Sequence, residues 1–82
     1  MSEQRVWLLI DDDDAFLQVL QRSLGRQGIE ARLARGHQEA KTLLSEGHFH
    51  RCVLDLNLAG ESGLQLLPEL LDMHPDLEIL VL

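Results

Sequence analysis

Val6-Trp7-Leu8-Leu9-Ile10 runs without a break into Asp11-Asp12-Asp13-Asp14. An apolar run of this length, bounded by charge, reads as a strand buried on both faces, the kind found inside parallel sheets. Carboxylates at its C-terminal end then stand on the rim of the sheet, where open α/β folds place their ligands. Massed negative charge there is unfavourable unless water, a helix N-terminus or a cation compensates it. A second junction of the same kind follows, where Cys52-Val53-Leu54 ends in Asp55, with Leu56 and Asn57 behind it. Two apolar strands that each end in an acid predict one shared acidic pocket.

Working outward, the chain alternates between strand and helix patterns. A helix is expected over residues 14–27, with Phe16, Leu17, Leu20 and Leu24 on one stripe. Asp13 or Asp14 can cap its first turn, and Gly28 supplies the stop. Residues 30–34 alternate polar and apolar, as an edge strand does. A second helix is expected over 37–46, with Ala40, Leu43 and Leu44 inward and Gly47 at its end. A third strand spans 51–55, and 57–63 reads as a loop with two glycines. A third helix is expected over 63–73, with Leu64, Leu67 and Leu71 on one stripe. Pro68 lies past its first turn and should remove one backbone bond and bend it. Residues 77–82 form a fourth strand. The order β-α-β-α-β-α-β calls for a parallel sheet with helices on both faces.

Composition narrows the function. The chain has 82 residues, 45% of them hydrophobic, which suits one small packed domain. Its 14 acidic and 7 basic residues give a net charge of −7. That argues against binding of nucleic acid or a membrane surface by this chain, since both need a basic face. A cation, or a partner with a basic patch, fits better. The single cysteine, Cys52, sits inside an apolar run and reads as a reduced core residue. No signal peptide or membrane-spanning run is present, so a cytoplasmic location is the default. The histidines His37, His48, His50 and His74 read as exposed and structural. His48 and His50 are expected on opposite faces of a strand.

A hard cation such as Mg²⁺ takes one or two carboxylates, keeps several waters and uses phosphate oxygens. Asp12 and Asp55, at the ends of two strands, can supply the carboxylates, and a backbone carbonyl just past Asp55 a further ligand. The strings LLIDDDDAF, VLDLNLAGESGL and LEILVL, in that order, resemble the receiver domain of bacterial two-component response regulators. The flanking DDDDAFL and DLNLAGESGL look most like the redox-responsive regulators of photosynthesis and respiration. The resemblance implies a flavodoxin-like doubly wound parallel sheet. It implies that Asp11 and Asp12 are the acidic pair, that Asp55 is the phosphoacceptor, and that the backbone carbonyl of Asn57 completes a Mg²⁺ site. Gly63 matches the glycine that opens the third helix. The implied partner is a sensor histidine kinase or a phosphotransfer protein. The flank of the first helix bearing Ala15 and Val19 is the one that faces the kinase in receivers.

The resemblance spans residues 1–82 but not the whole family domain, so the reading is a partial receiver. Family members continue past the fourth strand with a hydroxyl residue, a helix, a strand with a following lysine, and a last helix. Without these, the expectation is slow or absent phosphorylation of the 82-residue chain. The apolar fourth strand would be an open sheet edge, and a dimer or higher assembly is expected. DNA binding would need a separate output domain. Two other readings stand beside this one: a receiver-like interaction module that is not phosphorylated, and a fragment of a haloacid-dehalogenase-type phosphatase. The second rests on the Asp-x-Asp spacing of Asp12 and Asp14.

Overall fold

The computed structural model describes residues 5–58 and 61–82. In chain order the elements are β1 (Arg5–Ile10), α1 (Asp14–Arg26), β2 (Ile29–Ala34), α2 (His37–Glu46), β3 (Arg51–Leu54), β4 (Asn57–Leu58), β5 (Glu61–Ser62), α3 (Gly63–Met73) and β6 (Glu78–Val81). Four strands form one sheet in the order β2-β1-β3-β6, and every neighbouring pair is parallel. This is the alternating α/β architecture expected from the sequence. The segment read as a loop holds a short antiparallel pair, β4 with β5. Gly60, one of the two glycines of that expected loop, lies outside the described residues.

The doubly apolar β1 run is explained by the two layers it serves. Leu8 and Ile10 join Cys52 and Leu54 on one face, packed with Ala40 and Leu44 of α2 and Leu66 and Leu70 of α3. Leu9 joins Val53 on the other face, packed with Leu17 and Leu24 of α1. Burying a leucine completely contributes roughly 1.5–3 kcal/mol, so a polar residue at either parity of β1 would cost one layer. Cys52 is fully buried, and burial pushes its thiol up to about 12, so it stays protonated as a core residue.

Two helix stripes differ from expectation. Phe16 is 40% exposed, while Leu17 and Leu24 are buried. Successive helical residues are about 100° apart, which carries Phe16 off the stripe that Leu17 and Leu24 share. In α3 the buried stripe is Gly63, Leu66 and Leu70, while Leu64 and Leu71 are exposed. This helix is apolar enough to offer two overlapping stripes one residue apart. The close approach of Gly63 to the backbone of Asp55 selects between them. A Cβ on Gly63 would lie 2.5 Å from the Asp55 carbonyl oxygen and 2.8 Å from the Leu56 Cα. Pro68 sits inside the helix, as expected.

The ends of the elements are set locally. The Asp13 carboxylate accepts from the Phe16 amide at 3.1 Å and caps α1. Gly28, just past the helix, has φ +81°, the left-handed conformation that favours glycine. β2 and β6 are the two edges of the sheet. At the β6 edge Leu80, Val81 and the following Leu82 are exposed. Arg51 of β3 crosses to Glu78 of β6, donating from Nε at 3.0 Å, and its guanidinium lies 4.9 Å from the Trp7 ring centroid. Among the described residues, no helix is long and apolar enough to cross a membrane.

Two glycines of contrasting environment make a paired prediction. Gly63→Ala should destabilise the protein by about 1–3 kcal/mol, because its Cβ meets backbone that cannot rotate away. Gly25→Ala, in α1 with nothing within 4 Å of the added Cβ, should be neutral or stabilise by up to about 1 kcal/mol. Urea denaturation of the two variants checks both signs. Equal effects would show that the Gly63 contact does not constrain α3.

Candidate functional site

The parallel ladder carries both acidic junctions to the same rim. The Asp11 amide continues the β1–β2 pairing by donating to the Ala34 carbonyl at 3.0 Å. The Asp55 amide continues the β1–β3 pairing by donating to the Ile10 carbonyl at 3.0 Å. Backbone pairing, rather than side-chain packing, therefore fixes where these carboxylates start. Asp11, Asp12 and Asp55 each offer an oxygen, and the three oxygens lie within 4.8 Å of one another. An open cleft of about 410 Å³ lies over them, lined by Asp11, Asp12, Asp13, Phe16, Asp55 and Leu82.

The four consecutive aspartates are sorted into different tasks. Asp11 is buried, and one of its carboxylate oxygens accepts from the Asp13 amide at 2.9 Å. Asp12 is exposed at the mouth of the cleft. Asp13 caps α1. Asp14 turns away to Arg35, which donates from Nε at 2.9 Å and also pairs with Glu39. Its partner is thus a guanidinium outside the cleft, so the Asp12–Asp14 pair does not assemble as a phosphatase-type Asp-x-Asp site would require.

The electrostatics of the cluster are unfavourable on their own. Burial raises the Asp11 carboxyl above its ordinary value. The Asp13 amide opposes this, while the charge of Asp55, a hydrogen bond with the Asp55 carboxyl and the charge of Asp12 add to it. Two like charges at this separation repel by roughly 1 kcal/mol in water and roughly 3 kcal/mol at an effective dielectric near 20. No basic side chain is among the described residues lining the cleft. The donor set is all oxygen, charged and convergent, which is the chemistry of a hard divalent cation. The residues present fit such an ion.

Of the expected site residues, Asp11, Asp12 and Asp55 are brought together. Asn57 lies two residues beyond Asp55, in β4, where its backbone pairs with Ser62. Gly63 donates its amide to the Leu56 carbonyl at 3.1 Å, so α3 begins directly against the segment that follows Asp55. His48 is exposed as expected, but the other three histidines depart from the exposed reading. His37, His50 and His74 are half-buried, and each holds a backbone group. His48 and His50 precede β3, with ring centroids 5.7 Å apart in an edge contact, rather than on opposite faces of a strand. His50 Nδ1 accepts from the Val6 amide at 3.2 Å, which commits that nitrogen to the fold. Phe16 at the cleft and His37 beside the hairpin were not legible as site neighbours, because both depend on which turn of a helix meets the rim.

Comparison with known proteins fits this geometry. The family model of the response regulator receiver domain matches residues 7–82. The photosynthetic apparatus regulatory protein RegA of Rhodobacter capsulatus is 30% identical over 82 residues, covering 100% of this chain and 45% of its own. A response regulator from Burkholderia pseudomallei, solved with a phosphorylated aspartic acid, calcium and citrate, superposes with a TM-score of 0.91 at 39% identity. The match covers 94% of this chain and 45% of that one. The regulator TrrA from Thermotoga maritima, solved with Mg²⁺ and BeF, gives a TM-score of 0.83 at 27% identity, covering 92% of this chain and 65% of that one. The chain spans less than half the length of the curated relatives it matches. Receiver domains are phosphoacceptor signalling modules rather than turnover enzymes. With its acidic cluster on the rim of a parallel sheet ordered β2-β1-β3-β6, this chain belongs to the response regulator receiver family.

Proposed function

We propose that Asp55 is the phosphoacceptor of a two-component system and that Mg²⁺ is held by Asp11, Asp12, Asp55 and the backbone carbonyl of Asn57. The observation that carries this reading is the convergence of three carboxylate oxygens within 4.8 Å, in a chain of the receiver family. The phosphorylated aspartate and calcium of the Burkholderia regulator, and the Mg²⁺ and BeF of TrrA, support the same chemistry here. The donor is a phosphohistidine on a sensor kinase or phosphotransfer protein. The exposed flank of α1, where Val19 is 62% exposed, suits its docking. A cytoplasmic location and a transcriptional output through a further domain are part of this reading.

The chemistry asks little of the protein beyond position. An Asp55 carboxylate oxygen attacks the phosphorus in line. A P–O bond forms as the P–N bond breaks, and the donor imidazole departs. The attack brings an anion towards an anion, and a cation held by Asp11, Asp12, Asp55 and the Asn57 carbonyl would supply the neutralisation. The Asp13 amide holds the Asp11 carboxylate and the ladder to Ile10 fixes the Asp55 backbone, so both acids start from set positions on the rim when the phosphoryl group arrives. Asp12, at the mouth, is the ligand most able to adjust.

Two measurements test the roles separately. Asp12→Ala should lower Mg²⁺ affinity on the order of tenfold or more, since loss of a direct ligand should cost at least what loss of an outer partner does. Calorimetric titration with MgCl₂ reads this, and unchanged affinity contradicts the assignment. In the full-length protein, acetyl phosphate should add one phosphoryl group that is absent from Asp55→Asn, as read by intact mass. An adduct that persists in the variant would show a different acceptor. Complete inertness of the unsubstituted protein would favour a non-phosphorylated interaction module.

A further inference from the structure

The segment after Asp55 is steadied from an element that takes no part in the acidic cluster. His37, the first residue of α2, places Nε2 3.1 Å from the carbonyl oxygen of Ser62. A carbonyl can only accept, so the proton is on Nε2 and the imidazole donates. Ser62 is a junction. Its backbone pairs with Asn57 across the β4–β5 hairpin, and its hydroxyl oxygen accepts from the Leu64 amide at 3.2 Å to cap α3. The next residue, Gly63, presses on the Asp55 carbonyl. The position of Ser62 is therefore shared by the hairpin, by α3 and, through His37, by α2.

We propose that His37 is a positioning residue for the cation site: by fixing the Ser62 carbonyl, it holds the hairpin so that the Asn57 carbonyl is presented to the Asp11–Asp12–Asp55 cluster. This deepens the site reading above and rests on it. His37 touches neither the cation nor the phosphoryl group; it acts through Ser62 and the Asn57 pairing. Two-residue strands contribute little pairing of their own, and isolated hairpins are marginal in water. One added hydrogen bond from outside is therefore a large fraction of what holds the hairpin in register.

The experiment uses the whole chain, with calorimetric Mg²⁺ titration and residue-resolved amide hydrogen exchange on His37→Leu and His37→Gln. Leucine removes the donor. Glutamine retains an N–H at similar reach. The expected result for His37→Leu is a Mg²⁺ affinity about three- to tenfold weaker, the span of one net hydrogen bond. Exchange should be faster at the amides of β4 and β5, with core amides of β1 unchanged, and His37→Gln should stay close to the unsubstituted protein in both readouts. Should His37→Leu fail to fold, His37→Asn, whose amide is too short to reach the carbonyl, replaces it. Unchanged affinity and hairpin exchange in the donor-less variant would overturn the proposal, as would equal losses in leucine and glutamine. If the unsubstituted protein binds no Mg²⁺, the site reading fails with the proposal that rests on it. A normal titration that His37→Leu does not alter overturns the positioning role alone.

Discussion

The crowding of carboxylate oxygens from Asp11, Asp12 and Asp55 within 4.8 Å, with the backbones of Asp11 and Asp55 fixed by the sheet, is the constraint on which the structure turns. Asp11 and Asp55 both leave the sheet through ladder hydrogen bonds to the neighbouring strand. Moving either acid outward would break pairing that the two apolar layers beneath it depend on. The fold thus stores an electrostatic cost at one rim and covers it with the burial of leucines on both faces. A site built this way is prepared for positive charge, because a cation relieves a repulsion already present.

The aspartate run shows how local geometry divides a uniform sequence. Four identical side chains follow one another, yet Asp11 faces inward, Asp12 opens to solvent, Asp13 closes a helix and Asp14 pairs with Arg35. The division follows from the turn between a strand and a helix, over which successive side chains point in different directions. A helix N-terminus immediately behind the cluster also adds favourable dipole to carboxylates on the rim.

Much of this was legible beforehand, for identifiable reasons. β1 and β3 are apolar at both parities, which marks strands covered on two faces, and each ends in an acid. Those two facts lead to the parallel sheet and to a shared acidic pocket with Asp12 and Asp55 as ligands, without any knowledge of contacts. The resemblance to receivers then added Asp11 and named Asn57 as the source of the backbone carbonyl, which no residue type could have signalled. The rotations of α1 and α3 were less legible. Phe16 and Leu64 are apolar residues at helical spacing that nonetheless face solvent. In α3 the deciding contact is Gly63 against the Asp55 backbone, a long-range packing fact. The His37 tie escaped for the same reason, since it joins residues 25 apart in the chain. The β4–β5 pair is local, but strands of two residues carry no readable alternation.

The central claim is that the rim carboxylates form one hard-cation site. Anomalous scattering from crystals of the protein soaked in Mn²⁺, which shares the oxygen preference of Mg²⁺, tests it most directly. A single strong peak is expected at ligand distance from the Asp11–Asp12–Asp55 carboxylates. A well-ordered cleft with no peak, or a peak bound elsewhere with the three carboxylates empty, would contradict it.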